Sequence, residues 1–228
     1  MRAATRPVVD ELRAAADPSR RPGMARVGIN VDRALGVSIP DLRRLGRRYC
    51  PDHALALDLW RSDIHEARIL ASMVDDPAQV TRDQMEAWAL DFDSWDLCDQ
   101  VTGNLFDRTS FAATVARAWT KRPEEFVKRA GFAMVAARAV RDRTAPDGTF
   151  IAWFPAIRRG ATDDRNYVKK AVSWALRQIG KRNLALNAAA IAEAETLSMS
   201  DVPSARWIGR DALRELRLDE TKRRLRRR

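Results

Sequence analysis

Two side chains in the segment DSWDLCDQVTGNLF, residues 93–106, could together stabilise a positive charge. Trp95 and Asp99 are four residues apart, so on a helix they share one face. An aromatic face attracts a cation, by up to about 2 kcal/mol where water is excluded. A carboxylate supplies the opposite charge and can orient or deprotonate a water molecule. The pair therefore predicts a site for a cationic group. The alternatives are a core tryptophan between helices and a carboxylate paired with an arginine.

The spacing of apolar residues predicts how this helix is oriented. At about 100° per residue, one stripe is apolar and faces the core. It consists of Cys98, Val101 and Leu105. Trp95 lies beside that stripe, and Asp99 lies further round, at the margin of the buried surface. Gly103 follows Asp99 by one turn, and its missing side chain would allow a sugar-phosphate chain to come close.

The rest of the chain predicts an all-α protein. Helical patterns follow one another with short punctuation, and no segment alternates like a strand. Four helical segments resemble each other, and they are residues 64–74, 126–136, 167–177 and 205–215. The last two intervals, roughly forty residues each, leave room for helical hairpins, as in an α-solenoid of HEAT-like antiparallel helix pairs. Such an array would present a basic concave face, which suits a duplex.

Individual residues predict where some helices begin. Pro40 and Pro123 have the residue type favoured in a first helical turn. Thr81 is predicted to cap the helix that follows it. Asp96 is predicted to be a first-turn acid that interacts favourably with the positive end of its own helix.

The charge of the chain favours a polyanionic partner. The formal net charge is +10 and the isoelectric point about 10.5. Nucleic acid is the first candidate and an anionic membrane surface the second. A solenoid that binds protein and carries an incidental excess of arginine is a further alternative. His53 and His65 are isolated, and no residues have the spacing of metal ligands, so neither a metal nor a cofactor is expected.

The predicted organisation is a single domain over residues 1–221. Residues 1–25 form a weakly ordered lead-in with a short helix near Val8–Ala15. Residues 222–228, the sequence KRRLRRR, form a basic tail that is expected to be solvated or frayed. No segment reads as a signal peptide or a spanning helix, and Cys50 and Cys98 read as reduced core thiols. The expected protein is a monomer in the bacterial cytoplasm, associated with nucleoid DNA.

Three motifs in this order resemble those of the AlkD-type DNA alkylation repair glycosylases, a family of HEAT-like helical arrays. The segment SWDLCD resembles the family's W-D-x-x-D motif, with Trp95 and Asp99 at the matching positions. In EFVKRAGF, Arg129 matches a phosphate-binding arginine. In YVKKAVSWALRQIGKRN, Trp174 matches a second aromatic residue and Arg177 a nearby basic one. The resemblance covers roughly residues 25–215.

The resemblance implies hydrolysis of the N-glycosidic bond of cationic alkylated purines in double-stranded DNA, with 3-methyladenine and 7-methylguanine as examples. Asp99 would position the water, and Trp95 and Trp174 would pack on the sugar of the lesion. Arg129 would hold phosphate, with Arg177 and Lys170 as further DNA-binding residues.

Two positions depart from the family pattern. Ser94 stands where a second tryptophan precedes the motif, and Val27 stands where an N-terminal aromatic would complete the cleft. The alternative function is therefore a non-catalytic HEAT-like protein that binds damaged or branched DNA.

Overall fold

The computed structural model describes residues 5–226, and within that range it contains helices and no strand. The chain folds into two compact units, Met1–Ala112 and Ala113–Arg228, called here the N-terminal and the C-terminal unit. The predicted all-α class is confirmed. The predictions of a single domain to residue 221 and of a basic concave face remain predictions.

The N-terminal unit contains seven helices among its described residues, together with 3₁₀ turns at Pro18–Arg20 and Phe106–Arg108. The helices are α1 (Thr5–Ala14), α2 (Arg21–Arg26), α3 (Ile39–Tyr49), α4 (His53–Arg61), α5 (His65–Val74), α6 (Arg82–Leu90) and α7 (Trp95–Asn104). Helix α5 is central, because α1, α3, α4 and α7 all pack against it. The position of α7 therefore depends on the apolar surface of α5.

The C-terminal unit continues the helical pattern. Its helices are α8 (Ala112–Trp119, which begins at the division), α9 (Glu125–Arg141), α10 (Asp147–Ile151), α11 (Phe154–Gly160), α12 (Asn166–Gly180), α13 (Leu184–Ser198), α14 (Pro203–Leu216) and α15 (Asp219–Arg226). Helix α12 packs against α9, α13 and α14. Each of the four segments that resemble one another in sequence lies almost entirely in one helix, namely α5, α9, α12 or α14. Within the C-terminal unit, α12 packs on α9 and α14, which resemble it, and this is the packing expected of a repeat protein.

The predicted helix starts are confirmed at two of three positions. Thr81 accepts a hydrogen bond from the Gln84 amide at 3.1 Å, and Pro40 lies in the first turn of α3. Pro123 was predicted inside the first turn of α9, and this is wrong, because the helix begins at Glu125 with Glu124 as its N-cap. Proline fixes φ equally well in the extended segment that leads into a helix.

The two ends of the described chain are more helical than the sequence predicted. In the lead-in, α1 buries Val8, Val9 and Leu12 and packs on α4 and α5. At the other end, α15 continues into the basic tail as far as Arg226, since Leu225 is buried. Residues 1–4 and 227–228 lie outside the described range. Cys98 is a core thiol, but Cys50 is exposed at the end of α3, contrary to prediction.

Candidate functional site

One face of helix α7 is buried in the core, and a neighbouring face carries Trp95 and Asp99. Cys98, Val101 and Leu105 have no exposed surface, as the helical wheel predicted. Trp95 and Asp99 are half-buried and lie one turn apart. A Cβ built at Gly103 would meet no atom within 4 Å, so the space one turn beyond Asp99 is open. The helix therefore holds an aromatic ring and a carboxyl group at the edge of the core, beside room for a larger molecule.

The indole of Trp95 is fixed by the segment that follows α2. Its Nε1 donates a hydrogen bond to the Val27 carbonyl at 3.0 Å. Val27 itself is 57% exposed. Position 27, where an aromatic residue was expected from the family pattern, is thus in direct contact with Trp95. The segment supplies a backbone acceptor there and no aromatic ring.

A buried carboxylate in α5 holds this segment in place. Glu66 is 1% exposed and accepts hydrogen bonds from the Leu35 amide at 2.8 Å and the Gly36 amide at 2.7 Å. Gly36 has φ +83°, and a Cβ there would lie 2.1 Å from the Asp17 carbonyl oxygen, so glycine is required. The sequence signal for this contact is an acid on the same face of α5 as Ile69 and Leu70, since a buried acid needs partners.

A second buried polar group fixes the start of α7. His65 Nε2 lies 2.8 Å from Asp96 Oδ2, and the imidazole is 3% exposed. The Ser94 hydroxyl, also buried, donates to Asp96 Oδ1 at 2.9 Å. Asp96 is thus more than the first-turn acid that the sequence predicted. Ser94 has no exposed surface, so a larger side chain at this position would disrupt the contact.

In this pair, each group favours the charged form of the other and shifts its pKa. Burial opposes a charged imidazole, but the hydrogen bond to Asp96 and the attraction of Asp96, Glu66 and Asp93 outweigh it and raise the pKa of His65. Burial likewise opposes a charged Asp96, but the bonds from His65 and Ser94 outweigh it, so the pKa of Asp96 is lowered. Both shifts favour the charged forms of the pair, an imidazolium beside a carboxylate.

We expect the stabilisation by this pair to depend on pH. A raised histidine pKa stabilises the fold below the unfolded value of about 6.5, and this effect fades as pH rises through the folded value. A lowered aspartate pKa stabilises the fold above about 3.9 and is lost as pH falls through the folded value. In urea unfolding, the stability lost in His65→Gln should be largest between about pH 4 and 6.5 and smaller at pH 9. An equal loss at all these pH values would contradict the ion pair.

In the C-terminal unit, Arg129 is a buried residue of α9. It is 6% exposed, and its Nη1 donates to the Tyr167 carbonyl at 2.7 Å. The ring of Tyr167 in turn lies 5.4 Å from that of Phe126. Arg129 therefore joins α9 to α12. Its predicted role in phosphate binding remains a prediction.

The other predicted DNA-binding residues of this unit lie on α12. Trp174 is half-buried, and its Nε1 donates to Gln178 Oε1 at 2.9 Å when the Gln178 amide is oriented to satisfy both of its polar atoms. Arg177 Nη1 lies 2.5 Å from Glu215 Oε2, so a carboxylate of α14 already neutralises part of its charge. Lys170 is exposed near the start of the helix.

The structure thus places the predicted residues in two groups. Trp95 and Asp99 lie together on α7 in the N-terminal unit. Arg129, Lys170, Trp174 and Arg177 lie on α9 and α12, which pack together in the C-terminal unit. Residues 5–226 contain no group of three or more His, Cys, Asp or Glu residues that could hold a metal ion. No helix in the same range is long and apolar enough to cross a membrane.

Comparison with known proteins places these features in a family context. The sequence model of the DNA alkylation repair enzyme family matches residues 8–216. A solved structure described as belonging to "a new family of proteins related to the HEAT-like repeat DNA glycosylases with affinity for branched DNA structures" has a TM-score of 0.77. It is 16% identical, and the match covers 93% of this chain and 95% of the other. An engineered protein that is 12% identical gives a TM-score of 0.36, covering 78% and 90% of the two chains. No curated protein matches.

Proposed function

Because the chain belongs to the DNA alkylation repair enzyme family, we propose that it is a monofunctional DNA glycosylase. Its substrates in this proposal are cationic alkylated purines in duplex DNA, such as 3-methyladenine and 7-methylguanine. The observation that carries the proposal is the pairing of Asp99 with Trp95 on a firmly anchored helix, next to open space at Gly103. No metal or cofactor is required, because the alkylated base is already a good leaving group.

The proposed reaction needs one carboxylate and one water molecule. The bond between C1′ and the base nitrogen breaks, and its electron pair leaves with the purine, whose positive charge is thereby cancelled. The water oxygen forms a bond to C1′, and Asp99 accepts the proton of that water. Before that bond forms, the sugar resembles an oxocarbenium ion, which the negative charge of Asp99 stabilises.

The aromatic residues add to this stabilisation. The face of Trp95 would lie against the cationic sugar, and Trp174 is proposed as the second aromatic contact. The hydrogen bond from Trp95 to Val27 fixes the ring before DNA arrives. Because the ring is already fixed, little conformational entropy is lost when DNA binds. Preorganised groups of this kind stabilise a developing charge efficiently.

DNA affinity is proposed to come from the cationic surface, which we expect to be concave. The net charge of +10 supports it. Lys170 is exposed on the same helix as Trp174, about one turn before it. Arg177 is a weaker candidate, since Glu215 already binds its guanidinium. Arg129 would contribute by holding the phosphate beside the lesion.

A protein that binds damaged or branched DNA without chemistry is the second candidate. Ser94 and Val27 favour it, since neither supplies the aromatic surface that the family pattern has at those positions. The solved structure of similar fold, whose family is described as having affinity for branched DNA structures, supports this candidate. Under this proposal Trp95 would still contact DNA, whereas Asp99 would have no role in bond cleavage.

Base release from methylated DNA separates the two functions. Purified protein is incubated with duplex DNA that carries 7-methylguanine, and free base is quantified by chromatography. We expect release well above the spontaneous rate. Binding to the same duplex and to a branched DNA is measured in parallel. Binding without release would leave only the second candidate, and release without Asp99 would contradict the mechanism.

A further inference from the structure

The C-terminal unit carries a groove that the proposed reaction does not use. Its volume is about 660 Å³. It is lined by the last turns of α9 and α12, the loops that follow them, the end of α14 and the helix α15. Sites of roughly 300–1,000 Å³ are typical of small ligands, so this groove has room for one or two nucleotide units of a single strand, including one backbone of a duplex.

The charged side chains of the groove are predominantly basic. They are Arg143, Lys181, Arg182 and Arg224, against Asp147 and Glu215. Both acids are already engaged. Asp147 accepts a hydrogen bond from Asn183 at 2.8 Å, and Glu215 accepts one from Lys181 at 2.6 Å. Such a lining attracts an anion rather than a cation.

Two of these cations are available to a ligand. Arg143 is exposed, and within residues 5–226 no carboxylate forms a salt bridge with it. Arg224 is 74% exposed, and its partner Glu220 is a neighbour on the same helix. Exposed pairs of this kind contribute little to stability, so a phosphate can replace the carboxylate at little cost. Arg143 and Arg224 are therefore the two phosphate ligands that the groove offers.

The C-terminal ends of α9 and α12 line the groove, and the partial negative charge of a helix C-terminus repels anions. At α9, Arg182 opposes this repulsion. Its Nη1 donates to the Ala139 carbonyl at 2.6 Å, and its Nη2 to the Ala145 carbonyl at 3.4 Å. Its guanidinium also lies 3.8 Å from the ring centroid of Phe150. Arg182 thus places a fixed positive charge at the C-terminal end of α9, where the Ala139 carbonyl would otherwise present a negative partial charge.

The groove is continuous with a predicted DNA contact. Gln178 lines it and accepts a hydrogen bond from Trp174 at 2.9 Å and one from Lys181 at 3.2 Å. Four residues of helix separate Trp174 from Gln178, a rise of about 6 Å. A strand that contacts Trp174 would need to extend by only about one nucleotide to enter the groove.

We propose that this groove binds the phosphodiester backbone of a nucleic acid strand, with Arg143 and Arg224 as its phosphate ligands. This extends the DNA-binding surface from Trp174 towards α15. It rests on the proposed function, which places Trp174 on DNA. An acidic protein segment is the competing occupant, and it is disfavoured because the groove adjoins Trp174 by way of Gln178.

The test compares two double variants with the same loss of charge. Arg143→Gln/Arg224→Gln removes the two groove ligands. Arg210→Gln/Arg223→Gln removes two exposed arginines of the same unit that do not line the groove. Affinity for a duplex without lesions is measured at several salt concentrations. Each phosphate contact contributes about 0.9 to the slope of log K against log salt, so the groove variant should lose about 1.8 and the control almost nothing.

Two results would overturn the groove assignment. One is an unchanged slope in the groove variant, as expected if the groove binds an acidic protein segment. The other is an equal loss in both variants, which would mean that only net charge matters. Binding of undamaged DNA needs no catalysis. The groove assignment can therefore fail while wild-type protein still releases 7-methylguanine, and it can hold in a protein that releases no base.

Discussion

Replacing Asp99 by asparagine should reduce the rate of 7-methylguanine release by about a hundredfold or more, since a positioned general base contributes about 10²–10⁴. Asparagine has nearly the same shape, but it carries no negative charge and cannot accept the proton of the water. The buried stripe of α7 and the bond from Trp95 to Val27 do not involve the Asp99 carboxyl group. We therefore expect DNA affinity to remain close to that of the wild type.

Single-turnover release from methylated duplex measures this effect apart from binding. The matched control is Asp83→Asn, which removes an exposed carboxylate from the first turn of α6 in the same unit. Release at the wild-type rate by Asp99→Asn would show that Asp99 is not the catalytic group. A fall in both variants would point to a general effect of charge.

Replacing Arg129 by methionine should affect both stability and DNA binding. Methionine cannot donate to the Tyr167 carbonyl, which lies 2.7 Å from Arg129 Nη1. That carbonyl keeps the hydrogen bond of its own helix, so the loss is one interhelical bond from a charged group, about 1.5–3 kcal/mol, which urea unfolding will measure. If Arg129 also binds a phosphate, the slope of log K against log salt should fall by about 0.9.

Arg129→Lys is the control that separates the two roles. Lysine keeps the charge but lacks the planar group that can span several acceptors. We expect it to restore most of the salt slope while recovering little of the stability. The slope does not depend on the folded fraction if that fraction is constant over the salt range. Lower stability with an unchanged slope in Arg129→Met would limit Arg129 to joining α9 and α12.

The sequence alone determined the local features of this protein. Helical periodicity predicted the all-α class and the buried stripe Cys98, Val101 and Leu105, because the side of a helix that faces the core repeats every 3.6 residues. The cap at Thr81 was also predictable, because the hydrogen bond of an N-cap joins residues within one turn of the chain. The ordered motifs also indicated the family, which the match over residues 8–216 shows.

Only the tertiary structure decided which polar groups are partners. The sequence treated His65 as isolated and Asp96 as a simple first-turn acid, yet the two form a buried pair across α5 and α7. It indicated for Arg129 only the phosphate-binding role that the family resemblance implies, yet a carbonyl of α12 accepts its hydrogen bond. These pairs join residues about thirty or more positions apart, where periodicity carries no signal. Burial makes such partners obligatory, but packing alone selects which residues they are.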